Sequence, residues 1–228
     1  MKFVSFDFQL SLYLNLLLFL GRFIFLFLAA FLFWRKLKED YPDEQILSLT
    51  LAVIFFGYLG LRLGLLVGCF LFVVATTLIF CRIQKLKWWP IADALVFPLL
   101  IFGLGTALLN LAVDFSWVLL FPPLLFFLVL LGSVRMEKTY RSVAWYKSGK
   151  IGFIFYFAII AFFSLFLVLE IATGKPLYWQ ILVEALVVLT AAFLLYLRAN
   201  EDQKEKNGFL LKISKIFKKT KNGQNSIS

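Results

Sequence analysis

QILSLTLAVIFFGYLGLRLGLLVGCFLFVVATTLIFC, residues 45–81, is a nearly unbroken apolar run with one charge, Arg62, in its middle. As a single straight helix it would be about 55 Å long, almost twice the roughly 30 Å hydrocarbon core of a bilayer. The run must therefore turn, and Leu61 to Leu65, where Arg62 and Gly64 interrupt it, is the place. Turning there leaves spans of about 18 and 17 residues, each just long enough to cross. Arg62 is then expected at a membrane face, between the two helices of a hairpin. Gly57, Gly60, Gly64 and Gly68 form a stripe of small residues, a pattern that lets helix backbones approach closely in lipid. Its first reading is helix packing, and its second is room for a lipid chain or head group against bare backbone.

Composition agrees with that reading. Hydrophobic residues make up 62% of the 228, with 29 phenylalanines, and such a chain has too little polar surface for a water-soluble domain. The apolar runs do not alternate with polar positions, which excludes a transmembrane β-barrel, so the expected class is an all-α polytopic membrane protein. The first run is too long and too poor in small residues at its end to be a cleaved secretory signal, and it is expected to stay as a helix. A net charge of +10 raises nucleic acid as a partner, but the basic residues sit in short loops and a tail beside the apolar runs, with no nucleic-acid-binding motif. Histidine is absent altogether, which removes the commonest general base and metal ligand. No metal or cofactor is expected. Cys69 and Cys81 lie about 18 Å apart along one expected helix and cannot bridge.

Taken in order, the expected spans are Leu12–Phe33, the two halves of the hairpin, Ile91–Val113, Trp117–Gly132, Ile151–Glu170 and Leu177–Leu197, seven in all. Pro122 and Pro123 fall early in the fifth span, where a helix tolerates proline. With the N-terminus outside, one side receives Arg35, Lys36 and Lys38, then Arg82, Lys85 and Lys87, then the basic residues of Ser133–Lys150, and finally the tail. The other side receives only Lys2 and Lys175, with Arg62 at the boundary. This satisfies the positive-inside bias at every loop and puts the C-terminus in the cytoplasm. Residues 1–198 thus form a membrane domain and 199–228 a basic cytoplasmic tail. In that tail Phe209, Leu210, Ile213, Ile216 and Phe217 recur at helical spacing among lysines, the pattern of a short amphipathic helix lying in the interface.

Charged groups within spans are costly and usually paired, so they are the candidate site. Threading places Arg62, Asp114 and Glu170 near the outer face, with Glu184, Gln180 and Asn110 in the outer half. Arg62 either pairs with Glu170 or Glu184 to tie helices together, or receives a phosphate or carboxylate head group through forked hydrogen bonds. Arg22 falls near the centre of the first span. It either pairs inside the bundle, with Glu184 or Asp93 the nearest acids by depth, or lines a cavity open to lipid or water. Asp93, just after Pro90, is expected to cap its own helix.

Three stretches resemble a known family: DEQILSLTLAVIFFGYLGLRLGLL at 43–66, IADALVFPLLIFGLGTALLNL at 91–111, and SGKIGFIFYFAIIAFFSLFLVLEIATGKPLYWQILVEALVVL at 148–189. They are similar to the second helix, to the Asp–Pro to Phe-Gly-Leu-Gly helix and to the last two helices of the prolipoprotein diacylglyceryl transferases of the bacterial plasma membrane. Arg62 matches that family's Gly-Arg-Gly signature, Glu170 its Arg-Phe-x-x-Glu glutamate and Gln180 its Gly-Gln. The resemblance implies an enzyme that moves diacylglycerol from phosphatidylglycerol to the lipobox cysteine of a lipoprotein precursor, without metal. This chain departs from it where the chemistry lies. The family's histidine motif is gone, Leu108 and Phe166 stand where it has arginines, and the external segment after the fifth helix is missing. Lost cationic donors of that kind are commonly worth about 3 kcal/mol or more each in a dry site. Without histidine no Ser/His/Asp or Cys/His set can form either, so no catalytic residue is assigned. The expectation is a phospholipid-handling relative with lost or altered catalysis; a membrane scaffold or small transporter is the alternative, though no internal repeat supports a transporter.

Overall fold

The computed structural model is all-helical, with no strand among the described residues. It describes residues 2–62, 66–113, 117–143, 146, 150–173 and 178–200, of which 2–12, 61–62, 66–67, 118, 172–173 and 178 are described by backbone alone. The amphipathic helix expected in the tail lies outside these residues, as does Asp114.

The helices are α1 (Lys2–Leu37), α2 (Asp43–Arg62), α3 (Leu66–Ile83), α4 (Trp88–Val113), α5 (Phe121–Thr139), α6 (Phe153–Thr173) and α7 (Tyr178–Ala199). Each expected span corresponds to one of them. Five helices, carrying Tyr13–Leu37, Asp43–Gly60, Trp88–Val113, Phe153–Ile171 and Trp179–Ala199, are long and apolar enough to cross a membrane, and the apolar part of α3, Gly68–Ile83, is shorter. The long run does break after Arg62, and α2 packs back along α3. The close approach explains the glycines: a Cβ on Gly60 would lie 2.6 Å from Cys69 Cα and 2.9 Å from the Gly68 carbonyl oxygen. The stripe is used there for backbone-to-backbone packing. Cys69 and Cys81 are both free on α3, as their spacing required.

Several boundaries differ from the expected ones, most of all the start of α1, which lies at Lys2 rather than Leu12 because nothing in the sequence between them breaks a helix. α5 continues through Ser133 to Thr139, because the sequence after Gly132 contains good helix formers and no breaker until a 3-10 turn at Tyr140–Ser142. α4 begins at Trp88 rather than after Pro90; proline in a first turn sacrifices only an N–H that has no intrahelical partner.

That earlier start overturns the capping role expected of Asp93. It lies inside α4 and instead caps α6: Gly152 N–H donates to its Oδ2 at 2.6 Å and Phe155 N–H to its Oδ1 at 2.9 Å. A buried carboxylate thus satisfies two of the orphan donors at the start of another helix. Arg198, in the last turn of α7, closes the same corner. Its Nε donates to the Ile151 carbonyl at 2.9 Å, its Nη2 donates to the same oxygen, and its guanidinium lies 3.8 Å from the Trp89 ring centre.

These contacts gather the basic segments at one end of the bundle. Lys36 of α1 pairs with Glu137 of α5 at 2.5 Å. Tyr41, between α1 and α2, donates a long 3.4 Å hydrogen bond to the Lys87 carbonyl between α3 and α4. Trp34, Tyr41, Leu86 and Trp88 pack together on one core that joins α1, α2, α3 and α4, while a second, aromatic core joins α4 to α5, α6 and α7. α4 is shared by both cores, so it is the spine of the fold.

Candidate functional site

Between the two cores lies a half-enclosed chamber of about 500 Å3, inside the range of roughly 300–1,000 Å3 typical of small-molecule sites. α4 lines it from Leu95 to Asn110, which at roughly 1.5 Å per residue is about 22 Å of depth. Phe70 of α3 and Phe155, Ile159 and Phe163 of α6 form much of the opposite wall, and Phe126 of α5 contributes a ring. Tyr58 of α2 and Cys69 of α3 are shared with a smaller space of about 180 Å3 between α1, α2, α3 and α4. The wall is almost wholly apolar, and its polar members, Arg22, Thr106 and Asn110, fall towards the end away from the basic segments.

Small residues on α4 set the geometry of that polar end. A Cβ on Gly105 would collide with the Phe25 ring of α1, and one on Gly103 with the Phe126 ring of α5. A Cβ on Gly21 of α1 would lie 2.8 Å from Leu109. α1 therefore packs tightly and antiparallel on α4, and the tight packing places Arg22 beside Asn110. Arg22 Nη2 donates to Asn110 Oδ1 at 2.9 Å. Thr106 is already occupied, donating to the Gly103 carbonyl at 2.9 Å.

The candidate residues fall into two groups rather than one. Arg22 and Asn110 form the first; of the two readings open for Arg22, pairing with Glu184 or Asp93 is not seen, and the residue lines the chamber instead. Packing register decides it: α1 runs antiparallel along α4 with Arg22 level with Asn110, whereas Asp93 is used at the opposite end of α4 and Glu184 lies on α7. Glu170, Gln180 and Glu184 form the second group, where the Gln180 amide donates to Glu170 Oε1 at 2.7 Å and to Glu184 Oε1 at 3.3 Å. Glu184 is fully buried, and its Oε2 has no hydrogen-bond partner among the described residues. This group ties α6 to α7 and does not line the chamber. Arg62 ends α2, and its side chain lies outside what is described.

Sequence reading missed the chamber itself and the Lys36–Glu137 pair. The recurrence of Gly103, Gly105 and Ala107 on α4 is the pattern that could have marked its crowded C-terminal half. The site has little chemistry of its own. Among the described residues no three metal-ligating side chains cluster. Cys69 presents a thiol to an apolar wall, without the histidine that would activate it. What the arrangement can do is enclose an apolar chain and present a cation at one end of it.

No family model, curated protein or solved structure matches the chain.

Proposed function

We propose that this chain is a seven-span protein of the bacterial plasma membrane, N-terminus outside and C-terminus inside, that holds a phospholipid without transferring it. The observation that carries the reading is the apolar chamber beside α4, about 22 Å deep by the rise of that helix and so deeper than half of a roughly 30 Å hydrocarbon core. A scaffold that only closes helix contacts has no need of such a space. Phosphatidylglycerol is the expected lipid, and lipoprotein precursors the expected protein partners, on the resemblance to the diacylglyceryl transferases.

Loss of catalysis is supported by what fills the positions where that resemblance expects arginine. Leu108 is exposed on α4, and Phe166 stacks on Phe162 within the aromatic core at 6.0 Å between ring centres. Neither can stabilise a developing phosphate charge. Glu170, which the resemblance retains, is engaged by Gln180.

Two measurements test the reading. Expressed in cells depleted of their own transferase, the chain is expected to leave a lipobox substrate unlipidated; restored lipidation would show that it is an active transferase. Purified in mild detergent, it is expected to retain phospholipid, detected by mass spectrometry, and to lose it in Thr106→Phe, which fills the chamber. Equal retention in the two proteins would remove the chamber from the account.

A further inference from the structure

We propose that Arg22, positioned by Asn110, is the head-group receptor of the chamber and selects an anionic amphiphile from the leaflet opposite the basic end. The inference rests on the reading that the chamber takes lipid, and adds where the head sits and what charge it carries.

A guanidinium has five N–H donors, and Asn110 Oδ1 takes up one of them, at 2.9 Å. Among the described residues no carboxylate lies within ion-pair reach of Arg22. The residue sits on the apolar stretch Tyr13–Leu37 of α1, about 20 Å along the helix from Arg35 at the basic end. At such a depth a cation without an acidic neighbour is costly, and cations there usually meet a counter-charge or a polar cavity. Here the cavity is present and the described residues supply no counter-charge. Phosphate and carboxylate oxygens accept forked hydrogen bonds from guanidinium, so an anionic head would satisfy the donors that Asn110 leaves over.

The position of the pair fixes the leaflet. Asn110 is three residues from the end of α4 at Val113, and the chamber runs from it towards Leu95, which packs in the core next to the basic end. A head at Arg22 therefore directs its chain down the apolar wall. Polar groups at one end and rings and aliphatic side chains along the rest complement an amphiphile, and match neither a free anion nor an uncharged hydrocarbon.

The test is competitive binding to the full-length chain in detergent, read by native mass spectrometry, with phosphatidylglycerol and uncharged diacylglycerol of identical acyl chains and with inorganic phosphate. The expected result is a preference for phosphatidylglycerol of roughly tenfold or more, the size of one or two charge-assisted hydrogen bonds. That preference should vanish in Arg22→Gln and should survive in part in Arg22→Lys. Diacylglycerol, which has no anionic group for Arg22 to meet, reports whether each variant still folds and keeps its chamber. Equal binding of the two lipids by the wild type would overturn the head-group assignment and leave the chamber reading intact. Binding of neither lipid would sink the chamber reading itself. Displacement of phosphatidylglycerol by inorganic phosphate at equal concentration would overturn the amphiphile in favour of a free anion.

Discussion

Asp93 shows how one side chain can hold a fold together from a distance. Its two oxygens accept from Gly152 and Phe155, sixty residues on or nearly so, and Phe155 is also a wall of the chamber. Truncation leaves two backbone donors unsatisfied in a buried place, at about 1–3 kcal/mol each. Asp93→Ala is therefore expected to destabilise the protein by roughly 2–4 kcal/mol. Asp93→Asn should lose less, because one acceptor oxygen remains. Thermal unfolding in detergent, followed by tryptophan fluorescence, measures both; equal melting of Asp93→Ala and the wild type would remove the cap from the account. Gly152 completes the corner with φ of +110° and the Trp89 ring 2.5 Å from where a Cβ would sit, so neither backbone nor space admits a larger residue.

Among the elements, the α2–α3 hairpin makes the sharpest prediction. A Cβ on Gly57 would lie 3.9 Å from Cys69 Sγ and 3.2 Å from Val73. Gly57→Cys in a Cys81→Ala background is expected to form a disulfide with Cys69 under mild oxidation, within the reach that such bonds require. Failure to cross-link, with both thiols shown to be reactive, would mean the two helices do not pack in this register. This hairpin was legible in the sequence because length alone forces it: an apolar run twice the bilayer thickness with an arginine in its middle has few other places to go. The glycine stripe was legible for the same reason, since Gly60 sits where two backbones meet. Asp93 was not, because its partners are distant in sequence and its own neighbourhood, next to Pro90, gave a sufficient local explanation that proved wrong. The chamber was not legible either. It is space left between six helices, and no local pattern encodes how far α3 stands from α4 and α6. Arg22 could be singled out by its burden of charge in an apolar run, yet its partner could not be named without the register of α1 on α4.

At the scale of the whole molecule, the account depends on which way the bundle faces. The Lys36–Glu137 pair, the Tyr41–Lys87 contact and the Arg198–Ile151 corner bring the basic ends of alternate helices together. An anionic cytoplasmic leaflet would favour that end by about 1 kcal/mol per basic residue near the surface. Arg22 and the mouth of the chamber then belong to the outer leaflet. The most direct measurement is accessibility labelling of single cysteines at Lys38, Lys85 and Lys138 in an otherwise cysteine-free chain, with a membrane-impermeant thiol reagent applied to intact cells and to opened ones. Labelling of all three only after the cells are opened is the result predicted. Labelling of any one of them in intact cells would contradict the seven-span arrangement and, with it, the leaflet assigned to Arg22.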